Sequence, residues 1–251
     1  MSVKYKIGES VDTILTDIEG TTTSISFVKD ILFPYIRSNL ESYLTKNFDD
    51  DQCREDLRLL INQSRSDFLS FGHQVPQIKE NFENKTELIE SALANIKWQM
   101  DQDRKAKPLK QLQGHMWQLA YKNGTVKGHV YEDVVPAFER WISKGFKIYI
   151  YSSGSVEAQK LLFSYSDKGN LLKYFSGHFD TNVGLKTESQ SYLNILNSLG
   201  KSGEKVLFLT DLVREAEAAT QAGINVCVLR REDNPDKERK QFDCVNSFDE
   251  I

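Results

Sequence analysis

Four short segments place reactive side chains where the chain leaves an apolar run or sits in a polar loop. In Asp17-Ile18-Glu19-Gly20-Thr21 two carboxylates stand two residues apart, and the glycine after them lets the backbone turn and expose its amides. A carboxylate held there can be a nucleophile or a metal ligand, and a second one nearby can shuttle a proton. Ser152-Ser153-Gly154-Ser155 opens a helical pattern, where hydroxyls and terminal N–H groups can bind an anion. Thr210-Asp211-Leu212-Val213-Arg214-Glu215 again sets an acid at the end of an apolar run, with Glu215 one helical turn on. The last segment is the loop Gly184-Leu185-Lys186-Thr187, which supplies an isolated cation. The first three also have a plain reading: a turn or helix cap at Asp17, capping by Ser153 or Ser155, and capping with an internal Arg214 pairing in the acidic segment.

The elements that carry these segments are what bring them together. Val11–Ile18, Phe146–Tyr151, Lys205–Thr210 and Ile224–Leu229 are continuous apolar runs, the pattern of strands buried on both faces of a parallel sheet. Helical patterns lie between them: Val156–Tyr165, Ser189–Leu199 and Arg214–Ala222, the last ending at Gly223. Alternation of strand and helix predicts an α/β, doubly wound parallel sheet. Ligands of such sheets bind beyond the carboxyl ends of the strands, so Asp17, Ser152 and Asp211 are expected to converge there. From Ser24 to about Val130 the pattern is helical alone, with Leu32, Ile36, Leu40 and Leu44, then Leu57, Leu60 and Ile61, then Leu88, Ile89, Ala92, Leu93 and Ile96, then Leu109, Leu112, Met116 and Leu119. This predicts an all-helical cap domain over 24–130, inserted after the first strand, with the core domain formed by 1–23 and 131–251. The converging carboxylates could hold Mg²⁺, while Ser152, backbone amides and Lys186 could bind three phosphate oxygens, which together make a phosphoryl-transfer site.

Composition bounds the alternatives. The 251 residues carry 32 basic and 36 acidic side chains, a net charge of -4, which argues against nucleic acid or an anionic membrane as partner. No apolar stretch reaches membrane-spanning length, and Met1–Ser10 lacks a signal-peptide core. Cys53, Cys227 and Cys244 form no C-x-x-C pair and read as reduced thiols of a cytosolic protein. His73, His115, His129 and His178 lack zinc-site spacing. The charged stretches Asp101–Lys110 and Arg230–Lys240 read as solvated turns.

In that order, DIEGTT from Asp17, a serine at the end of the next sheet strand, an isolated lysine and the acidic TD-x-x-x-E segment resemble the four motifs of the haloacid dehalogenase superfamily of phosphatases. Longer wording narrows the resemblance: Asp17–Tyr35, Leu109–Trp117, Tyr149–Phe163, Gly177–Thr181 and Phe208–Ala219 are similar to the acireductone synthases, the bifunctional enolase-phosphatases of methionine salvage. The resemblance implies a small phosphorylated methylthio-diketone substrate, enolisation followed by phosphate removal in one pocket, one Mg²⁺ per chain, a monomer, and a cytoplasmic location with the nucleus as a second. It also assigns Asp17, Glu19 and Asp211 to metal binding and Ser152, Ser153 and Lys186 to substrate, with Asp17 the nucleophile and Glu19 and Lys186 beside it in catalysis. The superfamily usually has Asp where this chain has Glu19, a position that often offers the metal its backbone carbonyl and leaves the carboxylate for another task. Glu19 is the first candidate for the enolisation base and His115 the second. A capped phosphomonoesterase acting on another small metabolite would share the four motifs, and a non-catalytic scaffold would not need the intact set.

Overall fold

A computed structural model describes residues 4–232 and 241–251. The stretch read as a solvated turn at 230–240 therefore lies largely outside the described residues.

Among the described residues six parallel strands form one sheet in the order β3-β2-β1-β4-β5-β6: β1 (Thr13–Thr16), β2 (Lys147–Tyr151), β3 (Phe175–Phe179), β4 (Val206–Thr210), β5 (Asn225–Leu229) and β6 (Cys244–Val245). After β1 the chain winds outward through β2 and β3, then returns to the other side of β1 for β4, β5 and β6. The winding therefore reverses beside β1, the kind of switch point at which doubly wound sheets open a crevice. Thr13 to Thr16 and Val206 to Thr210 are buried throughout, as strands flanked on both sides must be. Against the sheet pack Tyr192, Ile195 and Leu196 of α7 (Ser189–Leu199) and Ala218 and Ala219 of α8 (Val213–Gln221), in one core with Leu15, Tyr151 and Phe208.

The chain divides into two compact units, residues 1–30 with 124–251 and Ile31–Asn123. The second is helical: α1 (Phe33–Asn47), α2 (Asp51–Phe71), α3 (Lys85–Asp101) and α4 (Lys107–Lys122). Its core gathers the periodic residues Ile36, Leu40, Leu44, Leu57, Leu60, Leu88, Ile96, Leu112 and Met116. Leu119 is an exception to the expected apolar face. It is exposed, and Ala120 is buried in its place, because the inward stripe of α4 steps 109, 112, 116, 120. Nor is Asp101–Lys110 simply a turn. Asp101 ends α3, Lys107 begins α4 with Pro108 in its first turn, and Arg104 between them pairs with buried Asp67. Pro108 explains the start, since a proline at the beginning of a helix forfeits no hydrogen bond.

Three elements of the first unit carry little sequence signal. Strand β3 is half-exposed and interrupted by Gly177, whose missing side chain makes room for the Tyr149 ring; β6 has two residues; and α5 (Val134–Ser143) follows β1 only after the helical insertion.

Candidate active site

Each predicted site residue of the sheet falls one step beyond a strand end: Asp17 after β1, Ser152 after β2 and Asp211 after β4. The registers Thr16↔Ile150 and Thr16↔Leu209 bring these ends to one edge. Asp17 is tied to the sheet by its N–H, which donates to Leu209 O at 2.9 Å. Beyond it the amides of Thr21, Thr22 and Thr23 all donate to Ile18 O, curling the loop tightly back on itself. Gly20 allows the curl: its φ is +68°, and a Cβ there would come within 2.4 Å of Asp211 Oδ2, so the carboxylate of Asp211 lies directly against this backbone. From the other side Arg231, at the end of β5, donates to Thr21 O from Nε and Nη2 at 3.0 and 2.8 Å while pairing with Asp133.

Lys186 enters the same edge from the loop before α7. Tyr151 donates its hydroxyl to Gly184 O, Ser191 to Leu185 O and Tyr192 to Lys186 O, so three side chains hold the loop backbone. The Lys186 ammonium, 5% exposed, lies 2.6 Å from Asp17 Oδ1 and 2.6 Å from Glu215 Oε2. Glu215 Oε2 also accepts the Thr210 hydroxyl at 2.7 Å. Glu215 thus belongs to the site, which the motif reading left as a capping or pairing acid. The available signal was its spacing of four from Asp211, which puts it on the face of α8 that looks back to the strand end.

Two buried carboxylates, Asp17 and Glu215, accordingly flank one ammonium, and buried Asp211 adds a like charge near Asp17. Burial, and then the like charges of Glu215 and Asp211, hold Asp17 well above the usual carboxylate range, against the pull of Lys186. Burial would push Lys186 down, but Asp17 and Glu215 more than offset it and hold the ammonium charged. An all-oxygen donor set with surplus negative charge suits a hard divalent cation. Among the described residues, however, no three His, Cys, Asp or Glu side chains form a ready-made metal cluster. The Glu19 side chain is exposed, while its backbone bridges to Thr23.

Ser152 is buried and Ser153 exposed. Capping of α6 (Val156–Ser164) falls to Ser155, whose hydroxyl accepts from Ala158 N–H, and to Asp180, whose Oδ2 accepts from Val156 N–H. The helix end is thus largely satisfied internally. His115 lies in the helical unit, its Nδ1 2.7 Å from Oδ2 of fully buried Asp56, whose other oxygen accepts from Gln111.

Residues 11–223 match the family model of haloacid dehalogenase-like hydrolases. The chain is similar to enolase-phosphatase E1 of Danio rerio, at 51% identity over 98% of this chain and 96% of that one. To the Dictyostelium discoideum enolase-phosphatase E1 it is 45% identical, over 96% of both. Among solved structures it resembles the UTR4 protein of Saccharomyces cerevisiae, with a TM-score of 0.76 and 34% identity over 96% of this chain and all of that one. CbbY from Rhodobacter sphaeroides in complex with phosphate shares the fold, at a TM-score of 0.56 and 14% identity.

Proposed function

This chain belongs to the enolase-phosphatases of the haloacid dehalogenase-like hydrolases, and from that premise we propose that it converts 2,3-diketo-5-methylthiopentyl-1-phosphate to the acireductone 1,2-dihydroxy-3-keto-5-methylthiopentene and phosphate, in methionine salvage. The observation that carries the reading is Lys186 held between Asp17 and Glu215, beside Asp211, at the switch point of the sheet.

Asp17 and Asp211 through their carboxylates, and Glu19 through its main chain, would hold one Mg²⁺ per chain. Bound there, the ion neutralises phosphate charge and stabilises an enolate. Glu19, whose side chain is exposed, takes the proton from the carbon bearing the phosphate ester and passes it to the neighbouring carbonyl oxygen, which leaves the enol. Asp17 then attacks phosphorus: an aspartyl-phosphate bond forms, the ester P–O bond breaks, and the ester oxygen leaves on the enol carbon, taking its proton from solvent. Water hydrolyses the aspartyl-phosphate, releasing phosphate and restoring Asp17. Ser152, Ser153 and Lys186 hold the non-bridging oxygens throughout. In this reading 24–130 is the cap domain, and the protein is a cytoplasmic monomer with the nucleus as a second location. Among the described residues no helix is long and apolar enough to cross a membrane.

The test uses the diketone phosphate in deuterated water. Asp17→Asn should slow phosphate release by ~10³-fold or more while proton exchange at the ester-bearing carbon continues. Glu19→Gln should slow exchange by about 10² to 10⁴-fold. Phosphate release by Asp17→Asn within about tenfold of the parent would rule out the aspartyl-phosphate, and undiminished exchange in Glu19→Gln would remove Glu19 as the base. Equal turnover of ordinary phosphate esters would instead make the protein a simple phosphomonoesterase.

A further inference from the structure

Two motifs that the reaction does not use, the start of α6 and Gly177–Thr181, meet around a single buried amide. Gln159 is 1% exposed, and its Nε2 donates to Gly154 O at 2.9 Å and to Phe179 O at 2.8 Å. Two carbonyl acceptors fix which end of the amide is nitrogen, so Oε1 is the atom 3.1 Å from His178 Nδ1, and His178 must carry its proton there. Phe179 O also accepts the N–H of Ser152 at 3.2 Å, and Asp180 Oδ2 accepts that of Val156. The stretch from 152 to 156 is therefore fastened to the end of β3 at every second residue, and Gln159 supplies the middle tie.

That tie sets a direction. A trans peptide points its C=O and N–H opposite ways. With Gly154 O turned inward onto Gln159, the N–H of the same peptide, that of Ser155, is turned away from the sheet. A leucine or methionine would fill the volume of Gln159 equally well but could not impose this orientation.

We propose that Gln159 is a positioning residue for phosphate recognition: by holding the Gly154–Ser155 peptide it aims the Ser155 N–H, beside the hydroxyls of Ser152 and Ser153, at the phosphate oxygens. The proposal rests on the reading above that Ser152 and Ser153 bind the phosphate. It makes the pair Gln159 and His178 a support that acts through the loop and touches no substrate.

The experiment measures kcat and KM for the diketone phosphate, and the inhibition constant of inorganic phosphate, in Gln159→Met, with Ser152→Ala alongside. Expected is a rise in KM and in the phosphate constant on the order of tenfold, with kcat per folded molecule changed less than about threefold, since a misdirected donor weakens phosphate binding more than it alters the nucleophile. A fall in kcat per total protein with KM and the phosphate constant unchanged would mean a merely structural amide and overturn the proposal. Should Gln159→Met not fold, Gln159→Glu keeps the length while its carboxylate faces both carbonyls, and the same rise is expected. If Ser152→Ala raises the phosphate constant and neither Gln159 variant does, Gln159 has no such role. If Ser152→Ala leaves it unchanged, the phosphate-loop reading itself fails and the proposal falls with it.

Discussion

Replacing Lys186 with methionine removes the ammonium lying 2.6 Å from both Asp17 and Glu215 and leaves buried Asp17 beside the like charges of Glu215 and Asp211. At an effective dielectric constant of about 20, each attraction lost is worth roughly 4 kcal/mol at 4 Å between charges. Part of that is offset because the ammonium no longer has to be desolvated, so the net cost expected for breaking a buried pair is about 3–5 kcal/mol. A domain protein with about 5–15 kcal/mol of stability survives this, so the variant can be assayed. Adding Glu215→Gln should then restore at least about 2 kcal/mol. One oxygen, Oε2, accepts both the Thr210 hydroxyl and Lys186, and an amide oxygen in its place still accepts Thr210 while removing a negative charge. Urea unfolding with chelator present, at constant m, reads both numbers. Phosphate release should remain ~10³-fold down in both variants, because neither has a cation for the non-bridging oxygens. The reasoning is refuted if Lys186→Met costs less than about 1 kcal/mol, or if the double variant is no more stable than the single one.

Gly20→Ala puts a side chain at positive φ and drives it into Asp211 Oδ2; unfolding free energy should fall by about 1–3 kcal/mol and phosphate release by on the order of tenfold or more, both measured on purified protein. Exhaustive chelation should abolish turnover and added Mg²⁺ restore it, checked by phosphate release; full turnover without divalent cation would contradict the carboxylate surplus as a cation site. Burial, helped by Lys160, pushes His178 down to about 4 from its usual 6.5, so the unfolded chain binds this proton first. The resulting stability is complete above about pH 6.5 and lost as pH falls toward 4. It is worth roughly 1–2 kcal/mol after discounting for partial exposure, and urea titrations should show it missing in His178→Gln.

Residues whose position follows from a strand end were legible in the sequence, because an apolar run stops where the backbone meets solvent and function. Asp17, Ser152 and Asp211 are of this kind, and so are the helices Ser189–Leu199 and Val156–Ser164. Glu215 was missed as a partner of Lys186 because the pair is separated by an entire helix and strand, and chain distance carries no trace of it. The exposure of Glu19 was hidden for a different reason: its spacing of two from Asp17 fits an alternating strand, but the chain has already curled into the Ile18–Thr23 turn. Strand β3 escaped because its pattern Phe-Ser-Gly-His-Phe is half polar and holds a glycine, which its packing against Tyr149 requires but propensity disfavours.

The sheet order also dictates when the active site can come into being. Strand β1 is made before the helical insertion, yet its hydrogen-bonding neighbours are β2, beyond that insertion, and β4, later still. Ile31–Asn123, by contrast, is contiguous and rich in local helical contacts, the kind of segment that folds fast. During synthesis, which proceeds N-terminus first, the insertion can fold while Asp17 waits unpaired on a strand with no sheet to join. The closure entropy added by such an insertion is small, roughly 1 kcal/mol, because it grows only with the logarithm of loop length. The delay is therefore a matter of order rather than of stability. Asp17 leaves the ribosome before the insertion yet is placed long after it, since Lys186, Asp211 and Glu215 must all emerge before its surroundings exist.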